Sequence, residues 1–478
     1  MSLLNKCHEP TRIMPLVGFR ILFGLLMLIS TIRFMLKGWV AELYLDPVFH
    51  FTYYGFWWVK PVSGPWLYAV FIIIALCCLF VMLGFFYRAS ITLFFLLFTY
   101  VELLDKAYYL NHYYFISVLS FLLIFLPLNR HLSLDALIDP TINTNRVPSW
   151  TIWAIRLQVG LVYFFAGLAK LKADWLFHAL PLKIWLAGHT SFPLIGPLFD
   201  YAWVAYLMSW SGAIFDLTIP FWLLWRRTRP FAYMTVILFH LLTGALFPIG
   251  MFPWIMIAST TIFFSEKEYR ALFKLGPHPH PLCQCSERGG RENLPFAVYT
   301  KQNKRHLSHS LAVPTRVLPP NYPAKESQRM QHAPILLVLV PFFLLQFLLP
   351  LRQWLYPGDV TWTEEGYRFA WNVMLVEKTA HTTFYVTEPN SGREWSVYPS
   401  DYLTPQQEKQ MSYQPDMILQ FAHYVAELAQ QEGFSEVEVR VEAYVSLNGR
   451  ASRLLIDPTV DLSQEVNDFR HKAWILTR

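Results

Sequence analysis

The stretch Tyr163-Phe164-Phe165-Ala166-Gly167-Leu168-Ala169-Lys170-Leu171-Lys172-Ala173-Asp174-Trp175 closes a long apolar segment that begins near Trp150. A run of that length reads as a helix able to cross a bilayer, with charge placed at its exit. On such a helix Lys170 shares a face with Tyr163, Ala166 and Gly167, because residues three, four and seven apart are stacked neighbours. Lys172 points roughly the other way, near enough to the helix end for its stem to snorkel to the interface. A lysine held against a small-residue groove can lose water to neighbouring helices, and a neutral amine is a usable base. The alternative is a lysine that anchors a helix end.

The whole chain shares this character. Of its 478 residues 54% are hydrophobic, 17% aromatic and only 15% charged, a balance that points to a multi-spanning membrane protein and away from a soluble enzyme. The formal charge of +6 does not argue for a nucleic-acid partner, because the basic residues sit in short loops between apolar runs, where they orient a protein in its bilayer. Cys77 and Cys78 are adjacent in an apolar run and Cys283 and Cys285 lie in a loop, so no disulfide framework is expected. The N-terminal run lacks a small-residue cleavage site and reads as a retained first span.

Apolar runs occur at about 13–36, 65–87, 90–104, 113–128, 150–171, 201–225, 231–248, 249–265 and 334–351. Several are at the short end of the ~20 residues a crossing needs. The expected fold is a membrane all-α multi-span helical bundle of about eight or nine transmembrane helices with a small extracytoplasmic α+β C-terminal domain. A cytoplasmic N-terminus puts Lys6, Arg12, Arg88, Arg130, Arg146, Arg226, Arg227, Arg229 and the basic stretch Lys267 to Arg329 on the inner side. The expected divisions are a catalytic bundle at 1–275, a cytoplasmic Pro-, His- and base-rich linker at 276–333, a last span at 334–351 and the extracytoplasmic domain at 352–478. His278, His280, Cys283 and Cys285 match no closed zinc pattern, and no metal is expected. In the last part, Thr382–Thr387 and Glu394–Tyr398 flank Pro389-Asn390-Ser391-Gly392, Asn448-Gly449 signals a second hairpin, and Pro415 to Gln431 has helical spacing.

Polar residues inside a bundle are costly and mark functional or paired sites. Topology brings Asp105-Lys106, Asn111-His112, Lys170 and His240 toward the outer surface, while Asp216, with Gly212, Ala213 and Pro220 on its face, points into the bundle. The plain alternatives are Asp105 paired with Lys106, His112 at an interface, His240 as a buried hydrogen-bonder, and Asp216 as partner of Arg156 or Arg20. The expected lining is aromatic and apolar: Tyr108, Tyr109, Phe164, Phe165, Phe247, Phe252, Trp254 and Met256. Apolar walls with a few converging polar groups suit a lipophilic small molecule such as a quinone or quinol.

The run from Phe164 to Trp175, Phe239-His240 and Leu246-Phe247-Pro248-Ile249-Gly250-Met251-Phe252 closely resemble the vitamin K-dependent γ-glutamyl carboxylase family. So do Leu104-Asp105-Lys106, Asn111-His112, Phe23-Gly24-Leu25-Leu26-Met27-Leu28, Val445-Ser446-Leu447-Asn448 and Ile456-Asp457-Pro458-Thr459-Val460-Asp461, in order along almost the whole chain. The resemblance implies an integral membrane enzyme that oxidises vitamin K hydroquinone, as reduced phylloquinone or menaquinone, to the epoxide with O2. That oxidation is coupled to carboxylation of glutamate side chains in a peptide or protein with CO2.

On this resemblance the catalytic base falls on Lys170, an active-site pair on Asn111 and His112, and quinone-pocket residues on His240, Phe252 and Met256. Phe165 and Asp105 are expected beside them, with Asp216 and His381 as further candidates. A hydroquinone hydroxyl, phenol-like at ~10, is within a lysine's reach, whereas a glutamate γ-proton is not. The alkoxide formed after O2 adds would remove that proton, and Asn111 and His112 suit hydrogen-bonding of a developing oxyanion. Two departures stand out. Animal members carry a second lysine where this chain has Ala169, which leaves Lys170 alone as base, and their longer C-terminal region is lacking after Asp461. The short chain looks bacterial, which implies an inner membrane with the active site and C-terminal domain on the extracytoplasmic side. The alternatives are a quinol epoxidase or oxidase that does not carboxylate protein, and a non-catalytic lipid- or quinone-binding membrane protein.

Overall fold

The computed structural model describes residues 8–272, 325–434 and 436–478. Most of the expected linker, with His278, His280, Cys283 and Cys285, lies outside the described residues.

Each apolar run forms a helix: α1 Met14–Leu36, α2 Gly64–Leu83, α3 Tyr87–Leu103, α4 Asn111–Ile124, α5 Ser149–Ala169, α6 Ala202–Leu224, α7 Arg229–Leu246, α8 Phe252–Thr260 and α9 Lys325–Leu351. The last begins nine residues before the expected boundary. By length and hydropathy six of them, α1, α2, α5, α6, α7 and α9, can cross a membrane. At 1.5 Å per residue α4 and α8, the latter extended by one 3₁₀ turn to Phe263, are shorter than the ~30 Å hydrocarbon layer. The protein is an integral membrane protein.

Contacts at the helix ends show how the chain threads. A two-stranded ladder, β1 Pro10–Arg12 on β2 Arg146–Pro148, ties the start of α1 to the start of α5. At that same end Arg20 donates to the carbonyls of Leu128 and Leu132, and Arg156 to those of Ile262 and Phe263. Asp216 therefore pairs with neither arginine. At the opposite end the connections after α1, α3 and α5 meet the C-terminal domain: Thr52 bonds Gln420, Lys106 bonds Asp416, and Asp174 bonds Arg450. The nine helices thus run alternately between the two ends.

Small residues allow close packing where it matters. A Cβ on Gly167 would lie 2.8 Å from the backbone nitrogen of Leu217, so α5 and α6 approach at the level of Lys170 only because that position carries none.

The C-terminal domain is an antiparallel sheet in the order β4-β3-β5-β6, with β3 Lys378–Glu388, β4 Arg393–Val397, β5 Glu438–Leu447 and β6 Arg453–Leu454. The β3–β4 hairpin closes Glu388 against Arg393, and the β5 turn uses Asn448 and Gly449 in the left-handed region that Asn and Gly tolerate best. Helix α10 Pro405–Met411 is opened by a capping box from Thr404 and Gln407. Helix α11 Pro415–Gln431 buries Met417, Ile418, Phe421 and Val425 against the inward residues Phe384, Val386, Val439 and Val441. Phe51 and Ala107 from the bundle connections enter this same core, so the domain is packed onto the bundle.

Candidate active site

At the end of α5 the chain turns, and Lys170 folds its side chain back so that Nζ lies 3.3 Å from the carbonyl of Ala166. From there Nζ reaches Oδ2 of Asp216 on α6, at 2.8 Å, with both side chains only 7% exposed. The indole of Trp175 lies 5.4 Å from the ammonium and is itself held by a bond from Nε1 to the carbonyl of Ser209. A desolvated cation beside a carboxylate and over an aromatic face is held in a defined position.

The pair forms part of the wall of a cavity of about 80 Å³. The wall is otherwise almost wholly apolar. Helices α5, α6, α7 and α8 supply Tyr163, Met208, Phe239, His240, Phe252 and Met256. The polar exceptions besides the pair are Tyr163 and His240, whose hydroxyl and Nε2 are 2.9 Å apart, and Thr243. Nδ1 of His240 is buried without a hydrogen-bond partner among the described residues. A buried nitrogen left without a partner costs free energy.

Val373 and Met374, from the segment between the last span and the sheet, complete the wall. That segment threads into the bundle: Trp371 is buried against Tyr114 and Phe115, and the amide of Phe369 donates to the hydroxyl of Tyr109.

The expected residues divide. Lys170, Asp216, His240, Phe252 and Met256 line one cavity. His112 stands one ring behind, 6.0 Å from Phe252, and Asn111 is engaged elsewhere: its amide nitrogen donates to the carbonyl of Asn372 and its oxygen accepts from Tyr109. Asn111 thus fastens the threaded segment. Asp105 is not in the wall. It caps the 3₁₀ turn Lys106–Tyr108, accepts from Gln407 at 2.7 Å, and leaves Lys106 to pair with Asp416 at 2.6 Å instead. Phe165 faces Phe347 of α9, and Phe164 and Trp254 face outward. His381 is exposed on β3 opposite Tyr444.

Tyr163, Trp175, Phe239, Met208, Val373 and Met374 were not expected in the lining. Tyr163 lies two turns before Lys170 on α5 and could have been found from it, and Trp175 lies five residues beyond it, past the end of that helix; Val373 and Met374 could not, since they follow the lysine by 203 and 204 residues.

The HTTM domain model matches residues 8–267, more than half of the chain, and the vitamin K-dependent gamma-carboxylase lumenal domain model matches residues 331–478. The chain belongs to the vitamin K-dependent gamma-carboxylase family. No solved structure matches it. The two matched regions correspond to helices α1 to α8 with the segment just after them, and to the last span α9 with the sheet domain, and the cavity is built from both. Two of the motifs that resemble the family also meet in space: Asp174, four residues after Lys170, accepts from Asn448 at 2.8 Å and from Arg450 at 2.7 Å.

Among the described residues no group of three or more His, Cys, Asp or Glu is placed to hold a metal ion. The lining suits a quinol head. Its walls are apolar and aromatic, a lysine–carboxylate pair and the imidazole of His240 form part of them, and three methionines, Met208, Met256 and Met374, can yield to admit a bicyclic ring.

Proposed function

We propose that the protein oxidises vitamin K hydroquinone, as reduced phylloquinone or menaquinone, to the epoxide at the Lys170 cavity and couples this to carboxylation of glutamate side chains. The observation that carries the reading is the Lys170–Asp216 pair set in an apolar wall, in a chain of this family. When bound, the hydroquinone with O2 supplies the oxidation that drives removal of the glutamate γ-proton, and CO2 is the carbon source.

The chain's own residues manage the first proton. Lys170 passes its proton to Asp216, 2.8 Å away, and takes a hydroxyl proton in its place, so the couple binds one proton and ends as ammonium and carboxylic acid. The ammonium then lies beside the oxyanion it has created and stabilises it in a site of low dielectric. The imidazole of His240 packs beside the ring, and its tautomer is set by the hydroxyl of Tyr163 on Nε2. Phe239, Phe252 and Trp175 exclude water, which protects strongly basic species from premature protonation.

The sheet domain, with its hairpin on Asp174, presents the glutamate-containing peptide or protein. We place this domain and the cavity on the extracytoplasmic side of a bacterial inner membrane. Support comes from the basic residues Arg12, Arg88, Arg130, Arg146, Arg226, Arg227 and Arg229, which gather at the other end of the bundle.

The test uses purified full-length protein with reduced menaquinone or phylloquinone and O2. Epoxide formation that disappears in Lys170→Ala, at normal expression and melting temperature, supports the reading; turnover unchanged in that variant removes Lys170 from the chemistry. Labelled CO2 with a short glutamate peptide tests the coupling. Epoxide without incorporated label would leave a quinol epoxidase.

A further inference from the structure

At the end of the bundle opposite the cavity, the start of α5, the turn between α6 and α7 and the segment after α8 enclose a cleft of about 390 Å³. Five cationic side chains line it: Arg12, Arg156, Arg226, Arg229 and Lys267, against the one carboxylate Glu266. Glu266 bonds Arg12 at 3.2 Å and also serves Arg270 outside the cleft. Arg229 pairs with Glu268 at 2.8 Å, a carboxylate that also accepts from the amide of Ser265. Two shared carboxylates against five cations leave an excess of positive charge in a half-enclosed space.

Arg156 is the most telling member. Its Nε and Nη2 donate to the carbonyls of Ile262 and Phe263 at 3.1 and 3.3 Å, and the guanidinium is flanked by the rings of Trp153 and Phe263. It pairs with no carboxylate among the described residues. Carbonyls and rings hold the guanidinium in place without neutralising it, as in a site prepared for an anion that comes from outside. Arg226 and Lys267, both exposed, pair with no carboxylate either, again among the described residues.

Orientation in the bilayer requires only that basic residues lie in the loops on one side, where water solvates them singly. It does not require convergence on one cleft, nor a guanidinium stacked between aromatic rings. The cleft also has an apolar side: Trp153, 48% exposed on the outer surface of α5, stands where a tryptophan at headgroup level is expected.

We propose that this cleft binds the phosphate headgroup of an anionic phospholipid. The phosphate sits among Arg156, Arg226 and Lys267, and the acyl chains run past Trp153 along α5. Phosphate matches the guanidinium fork, and basic pockets between spans are suited to anionic headgroups. The bound lipid bridges α5, the turn before α7 and the segment after α8.

The experiment uses full-length protein in a neutral detergent, analysed by native mass spectrometry and thermal shift. Phosphatidylglycerol, phosphatidylcholine and inorganic phosphate are added in separate arms. Phosphatidylglycerol is expected to bind at least about tenfold more tightly than phosphatidylcholine and to weaken as salt is raised. Arg156→Gln weakens binding by a similar factor. Because that variant also loses bonds to two carbonyls, the exposed double variant Arg226→Ala/Lys267→Ala, which leaves the packed bundle untouched, must weaken it as well. Equal binding of phosphatidylcholine, the same thermal shift with inorganic phosphate alone, or wild-type binding by the double variant would overturn the proposal.

Discussion

Nζ of Lys170 on the exit of α5 lies 2.8 Å from Oδ2 of Asp216 in the middle of α6, and both are closed off from solvent. The contact joins two helices that pack tightly at Gly167 and Leu217, so the chemistry and the packing depend on one another.

In Asp216→Asn the lysine keeps a hydrogen-bond partner but loses its proton acceptor. Epoxide formation is expected to fall by about 10²-fold, within the range general acid–base groups contribute. Asp216→Ala leaves the amine buried and unpaired, which costs about 3–5 kcal/mol and lowers the melting temperature as well. Steady-state assays beside thermal unfolding separate the two; full activity in Asp216→Asn would take the carboxylate out of the proton path.

Gly167→Ala places a methyl carbon 2.8 Å from the backbone nitrogen of Leu217, which cannot yield as a side chain could. The helices must part at the level of the ion pair, at a cost of about 1–3 kcal/mol. Loss of both thermal stability and epoxide formation is expected. Wild-type values in both assays would mean that α5 and α6 slide without disturbing the site.

Tyr163→Phe leaves Nε2 of His240 buried without its 2.9 Å partner. An orphaned polar group of this kind costs about 1–3 kcal/mol. With the tautomer no longer set, the quinol KM should rise more than kcat falls, and this ratio is the readout.

Asp416 sits where the C-terminal domain meets the bundle. Burial alone would raise its carboxyl, but Arg368 and Lys106 outweigh that and hold it well below the usual carboxylate range. A carboxyl depressed in the folded chain stabilises fully above its unfolded value near ~4, because as pH falls the unfolded chain takes up the proton first. Stability should therefore decline as pH drops below about 4, and Asp416→Asn should be less stable at neutral pH but flatter through that window. Thermal unfolding of both proteins between neutral and acid pH checks this; parallel curves would count against it.

Length and periodicity made much of the fold legible. Nine apolar runs became nine helices because desolvation of a long apolar segment leaves the backbone only its own hydrogen bonds to make. Asn448-Gly449 became a hairpin turn because few residues accept that backbone conformation. The site was legible only in part. Lys170, His240 and Phe252 stood out as polar or repeating features of single segments, whereas Asp105 and Lys106, adjacent in sequence, found different partners in the C-terminal domain.

Composition and local order, then, settled that this chain lies in a membrane and where its helices fall. Tertiary structure alone decided that Lys170 faces Asp216, that Phe165 turns to α9, and that Val373 and Met374 complete the wall. The reason is rotational. One residue along a helix turns a side chain by about 100°, so which face meets which neighbour depends on how closely two helices can approach, and that is set by packing between distant parts of the chain.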